Sequence, residues 1–125
     1  MILTVLQVAL GGAIGASLRY LTNVGVMRLV GPGFPWGTVV ANVMGSFVMG
    51  VIVVVLANTD QNKLAPLLMT GLLGGYTTFS AFSLDAVTLF ERGAILPAAS
   101  YVLVSVVVSI IALTMGLLFA RGFVS

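Results

Sequence analysis

Eight charged side chains punctuate this sequence, and their spacing limits what the chain can fold into more than any other feature. Arg19, Arg28, Asp60, Lys63, Asp85, Glu91, Arg92 and Arg121 leave charge-free stretches at 1–18, 29–59, 64–84 and 93–120, of 18, 31, 21 and 28 residues. A helix needs about 20 apolar residues to cross a bilayer's hydrocarbon core, so each stretch supplies most or all of one span. The chain therefore reads as a single all-α membrane domain with four transmembrane helices, at about 3–22, 36–57, 64–90 and 95–120 of its 125 residues. The loops are then short, and no water-soluble domain fits beside them. Only 6% of residues are charged and 60% are hydrophobic, against about 25% charged in an average soluble domain. Lipid is the expected solvent, and a multi-pass location in a cell (inner or plasma) membrane follows.

The breaks between spans carry turn chemistry. Gly31, Pro32, Gly33 and Pro35 form one turn, Asn58 to Asn62 a polar loop, and Glu91, Arg92 and Gly93 a third. Trp36 opens the second span at headgroup depth. The first residues, MILTVLQVALGG, lack a positively charged leader and read as the start of span one.

The residue inventory excludes several function classes. Cysteine and histidine are both absent, which removes disulfides, thiolate metal sites and the commonest acid–base groups. Three acids and scattered hydroxyls are a thin toolkit for catalysis, so an enzyme is not expected. A net charge of +2 without a basic cluster gives no footprint for nucleic acid.

Apart from Arg19 near the end of span one, Lys and Arg divide evenly between the two sides of the membrane. Lys63 and Arg121 fall on the side of the amino terminus, Arg28 and Arg92 on the other, so the positive-inside rule gives no preferred orientation. Either another feature sets the topology, or the chain inserts both ways and pairs as an antiparallel homodimer.

Within the spans, small and polar residues form stripes. Gly11 with Gly15 and Gly12 with Ala16 are small-xxx-small pairs that let helix backbones approach. Thr38, Asn42, Ser46 and Gly50 lie four apart on span two, and Tyr101, Ser105 and Ser109 do the same on span four. Such stripes supply interhelical hydrogen bonds or line a polar path. Span three is the strangest: GLLGGYTTFSAFS, Gly71 to Ser83, puts paired glycines and threonines at mid-span. Glycine costs about 1 kcal/mol in a helix interior, so this helix is expected to break at its centre. Freed backbone groups are tolerated in a membrane only where protein or a cavity satisfies them, an arrangement that recurs in ion-handling proteins. Phe79 and Phe82 follow on one side of the second half. Their electropositive ring edges can face an anion.

GGAIGASLRY (Gly11 to Tyr20), PWGTVVANVMGS (Pro35 to Ser46) and TGLLGGYTTFSAFS (Thr70 to Ser83) resemble the signature segments of the Fluc fluoride channels, also called CrcB proteins. The resemblance extends over all four spans, and the pattern from Gly74 to Ser83 is its most specific part. It implies a dual-topology antiparallel homodimer that lets fluoride leave the cytoplasm passively and so relieves fluoride toxicity, with two pores and a structural sodium ion at its centre. Carried over by motif, Gly74 and Thr77 would hold the sodium through their backbone carbonyls. Phe79, Phe82 and Asn42 would line the fluoride pore, with Ser80, Tyr101, Ser105 and Ser109 as pore-side hydroxyls and Arg19 at the vestibule. The implied partners are fluoride, an inverted second copy and membrane lipid. Many members carry Glu where this chain has Asp85, a shorter acid with less reach.

Two other classes compete. A small dual-topology multidrug exporter needs an ionisable carboxylate in its first span, and span one has none. A non-transporting membrane scaffold leaves the glycine- and threonine-rich centre of span three without a purpose. The even charge split yields one expected outcome: reporters fused to the carboxyl terminus should register on both sides of the membrane, and a strictly one-sided signal would remove the inverted pair.

Overall fold

Residues 1–124 are described by the structure, a computed structural model. The chain is all-helical, and four of its helical stretches are long and apolar enough to cross a membrane. Helix α1 (Ile2–Val30) runs well past Thr22, and α2 (Trp36–Thr59) follows after a short turn. The third stretch, Asn62–Glu91, is composite. It comprises a 3-10 turn (Asn62–Leu64), an eight-residue π-helical segment (Pro66–Leu73), the short α3 (Gly74–Tyr76) and α4 (Ser80–Glu91). Helix α5 (Ile95–Val124) closes the fold.

The turns end the helices where the sequence places glycine or a tolerant polar residue. Gly31 takes φ 80° after α1, its N–H bonding to the Met27 carbonyl at 2.8 Å, and Gly93 takes φ 81° after α4. A Cβ disfavours this left-handed region, and glycine enters it freely. Asp60 adopts it after α2 at φ 57°, as Asp and Asn do more readily than other side chains. Phe34 and Trp36 pack with ring centroids 4.7 Å apart and planes tilted by 48° where α2 begins.

Packing is organised by backbone contact, since apolar side chains gain no hydrophobic drive from leaving lipid. Helix α1 lies against the π segment and α3. A Cβ on Gly11 would collide with the Leu67 carbonyl oxygen, and one on Gly15 with that of Leu72; a Cβ on Gly71 would sit 3.0 Å from the Gly11 Cα. The second small pair differs, because a Cβ on Gly12 meets nothing, although Gly12 itself is approached by Gly75. On the other side of the molecule, α2 and α5 cross at Gly50 and Gly116, where Cβ atoms would strike the carbonyls of Leu113 and Phe47. The buried side chains form a modest cluster around Val39, Phe82, Leu89, Ala98 and Tyr101. Most large apolar residues of α1 and α5 are exposed on the isolated chain, as lipid solvation allows.

This packing makes a sharp contrast between neighbours in sequence. Gly15→Ala should destabilise the purified protein by about 1–3 kcal/mol, the range for overpacking, whereas Gly12→Ala should leave it unchanged or slightly improved. Thermal unfolding in detergent checks the pair; equal effects would contradict the assigned contact face.

Candidate ion pathway

The bend in the third span begins where α3 stops. Thr77 turns to φ −85°, ψ 161°, an extended conformation, and regular helix resumes at Ser80. Thr77 sends both its backbone N–H and its hydroxyl to the Leu73 carbonyl, each at 2.9 Å. The Thr78 peptide group is then held by α2: its N–H donates to Asn42 Oδ1 at 2.8 Å, and its carbonyl accepts from Asn42 Nδ2 at 3.0 Å. Finally, Thr78 Oγ1 accepts the Ala81 N–H at 3.1 Å and so caps α4. A buried backbone group without a partner is costly, and these bonds account for the polar groups that the bend exposes at Thr78 and Ala81.

Two of the carbonyls that lose their helical donors at the bend do so by the same arrangement. In a continuous α-helix the Gly74 carbonyl would accept from the N–H of residue 78, and the Thr77 carbonyl from that of residue 81. Here the Thr78 N–H goes to Asn42 and the Ala81 N–H to the Thr78 hydroxyl. No group of three or more His, Cys, Asp or Glu side chains converges among the described residues, so a cation held by this chain would depend on neutral oxygens of this kind.

Beside the bend lies an open groove of about 370 Å³ between α2, α4 and α5. Asn42 and Ser46 line it from α2, Thr77 to Phe79 and Phe82 from the bend and α4, and Ser105 and Ser109 from α5. Among the described residues, no charged side chain contributes to its wall. The hydroxyls of Ser105 and Ser109 are buried without a hydrogen-bond partner, unlike those of Ser17, Thr59 and Thr114, which bond back to the carbonyl four residues earlier. Serine on a helix ordinarily has that fallback; these two serines keep a donor to spare. Asn42 also keeps one N–H of its amide beyond the bond to Thr78. Phe79 and Phe82 approach with ring centroids 5.6 Å apart. Phe82 is 7% exposed and anchored against Tyr101, whereas Phe79 is 75% exposed at the open side.

The remaining expected site residues sit elsewhere. Tyr101 is fully buried and donates its hydroxyl to Asp85 Oδ2 at 3.0 Å, an oxygen that also accepts from Thr38 Oγ1 at 3.0 Å. The short acid thus reaches both α2 and α5, and Tyr101 does not line the groove. Ser80 is exposed outside it, and Gly74 is exposed near the bend. Arg19 is half-buried in mid-α1, its Nε lacking a partner, and also lies outside the groove. Asp85 and Thr38 instead border a second cavity of about 320 Å³ with Asn23, Phe34 and Trp36, at the end of the bundle where α2 begins. Two groove residues, Thr78 and Ser46, are not among those expected from the sequence. Ser46 was visible as a member of the Asn42 stripe, while Thr78 was hidden as the second of two identical residues.

A family model described as CrcB-like protein, Camphor Resistance (CrcB), matches residues 6–117. The chain belongs to the CrcB-like family. Members similar to it include a protein named fluoride-specific ion channel FluC from Cereibacter sphaeroides, 63% identical over 125 residues and covering the whole of both chains. Proteins of the same name occur in Ruegeria sp. (58% identical over 123 residues, 98% of each chain) and Mesorhizobium japonicum (54% over 118 residues, 94% of this chain and 95% of the relative). These names denote ion channels and not enzymes. With its four apolar spans, this CrcB-like chain is a multi-pass membrane protein.

The Asn42 clamp has a measurable cost of removal. Asn42→Ala should destabilise the purified protein by about 1–3 kcal/mol for each backbone group left unpaired, read as a lowered unfolding midpoint. Asp85→Asn, which retains an acceptor for Thr38 and Tyr101, should shift the midpoint less. An unchanged midpoint in Asn42→Ala would contradict the clamp.

Proposed function

We propose that this CrcB-like chain is a fluoride-specific ion channel that lets fluoride leave the cytoplasm passively, working as an antiparallel homodimer with two pores around a central sodium ion. The observation that carries this reading is the uncharged groove with unpartnered serine hydroxyls, in a chain 63% identical along its length to a protein named for fluoride conduction. Fluoride is small and strongly hydrated, so a selective path must replace its water with donors. Asn42 Nδ2, the hydroxyls of Ser105 and Ser109 and the positive ring edges of Phe79 and Phe82 supply such a set. Conduction also requires that the ion leave. Neutral donors bind moderately, whereas a fixed cation in the groove would hold fluoride too tightly. Arg19, set apart from the groove, acts on the approach of the anion by long-range attraction.

The groove is open along one side, with Phe79 projecting from it. One protomer therefore encloses only part of a path, and a second copy supplies the missing wall. A twofold axis lying in the membrane makes two equivalent grooves, hence two pores, and places the two copies in opposite orientations. The balanced Lys and Arg count fits insertion both ways. The third span is then a helix broken at Thr77 to Phe79, and its Gly74 and Thr77 carbonyls, contributed by both copies, would hold the sodium. Unwound carbonyls near the midplane suit that ion, which supplies positive charge where the two bends meet.

Reconstituted into liposomes loaded with potassium fluoride, the protein should release fluoride when valinomycin clamps the voltage, while vesicles loaded with chloride retain it. No release from demonstrably folded dimer would contradict the assignment. Phe79→Ile and Phe82→Ile should each slow fluoride release by about tenfold or more, equivalent to about 1.4 kcal/mol in the barrier, without loss of assembly. Unaltered rates would show that the rings only pack.

A further inference from the structure

We propose that Thr78 is a positioning residue for the central cation, holding the Thr77 carbonyl out of the helical ladder so that it can serve as an oxygen ligand. This rests on the reading of Gly74 and Thr77 as sodium ligands and adds the residue that keeps one of them available. The argument starts from the bond that is missing. The helical partner of the Thr77 carbonyl is the Ala81 N–H, and that N–H is taken by Thr78 Oγ1 at 3.1 Å. The Thr77 ψ of 161° carries the carbonyl off the helical path at the same point.

Other hydroxyls in these helices act in the opposite sense. Ser17, Thr59, Thr77 and Thr114 donate to a carbonyl four residues earlier and take no N–H from the ladder. Thr78 accepts an N–H from three residues later and so replaces a carbonyl in it. Asn42 does the corresponding work at Gly74 by taking the Thr78 N–H. It cannot substitute at Thr77, because its amide is engaged with the peptide of Thr78. Without the Thr78 hydroxyl, the Ala81 N–H is left without a partner in a membrane. Its nearest remedy is to rewind the bend onto the Thr77 carbonyl, which withdraws that oxygen from a cation.

Sodium linkage separates this role from capping alone, because a ligand at free concentration c that binds the folded state raises its stability by RT ln(1 + c/Kd). The unfolding midpoint of purified dimer would be measured across a titration of sodium chloride against N-methylglucamine chloride, for the unaltered protein, Thr78→Ser and Thr78→Val. The unaltered protein and Thr78→Ser should rise with sodium; Thr78→Val should need at least about tenfold more sodium for the same rise. If Thr78→Val does not assemble, Thr78→Ala is judged by the same titration. A sodium response in Thr78→Val or Thr78→Ala equal to that of the unaltered protein overturns the proposal, and so does its loss in Thr78→Ser. No sodium response in the unaltered protein removes the sodium reading itself, and fluoride release from liposomes remains a separate test of the channel.

Discussion

Lipid offers no hydrogen bonds, so a membrane helix that bends must find partners for its backbone within the protein. Here one side chain meets that demand at the centre of the bend. Asn42 takes both the N–H and the carbonyl of Thr78, and this two-point grip from α2 permits the third span to leave helical geometry at Thr77. The glycine contacts follow the same requirement. Gly45 has no side chain because the Thr77 methyl occupies the space a Cβ would take, and Gly15 admits the Leu72 carbonyl. Close backbone approach on one side and a carboxamide clamp on the other keep the bend in a single position.

What the clamp makes possible is a polar groove without charge. Two serine hydroxyls on α5 have no protein partner, Thr78 and Ser46 face the same space, and Phe82 is braced by Tyr101 at 5.2 Å. The one acid nearby is occupied differently. Asp85 draws the hydroxyls of Thr38 and Tyr101 together at 3.0 Å each, joining α2, α4 and α5 beside the groove without lining it. A negative charge in the wall would repel an anion; beyond the wall, Asp85 serves as a structural acceptor.

The spans were legible because charge is so costly in lipid that six of the eight charged residues fall at or near helix ends, with Arg19 and Asp85 alone lying well inside α1 and α4. The glycine pair Gly11 and Gly15 was legible as a packing face for the same reason that any small-xxx-small pair is. The sequence did not disclose the π-helical winding of Pro66–Leu73. Nothing in PLLMTGLL separates a bond to the fifth residue from one to the fourth, and the winding accompanies tertiary contact with α1. The destination of the polar stripes was also hidden. Spacing puts Tyr101, Ser105 and Ser109 on one face, yet Tyr101 reaches Asp85 while the serines border the groove. Ser80 lies outside the groove although its neighbours Phe79 and Phe82 line it, because helix restarts at Ser80 and turns it away.

The central claim is that a groove of neutral donors, held by the Asn42 clamp, selects fluoride over other halides. Zero-current potential tests it most directly. A planar bilayer containing the purified protein would separate two solutions with fluoride and chloride gradients running in opposite directions. The account predicts a potential at the fluoride equilibrium value, unmoved when the chloride gradient is changed. A potential that follows chloride would contradict it.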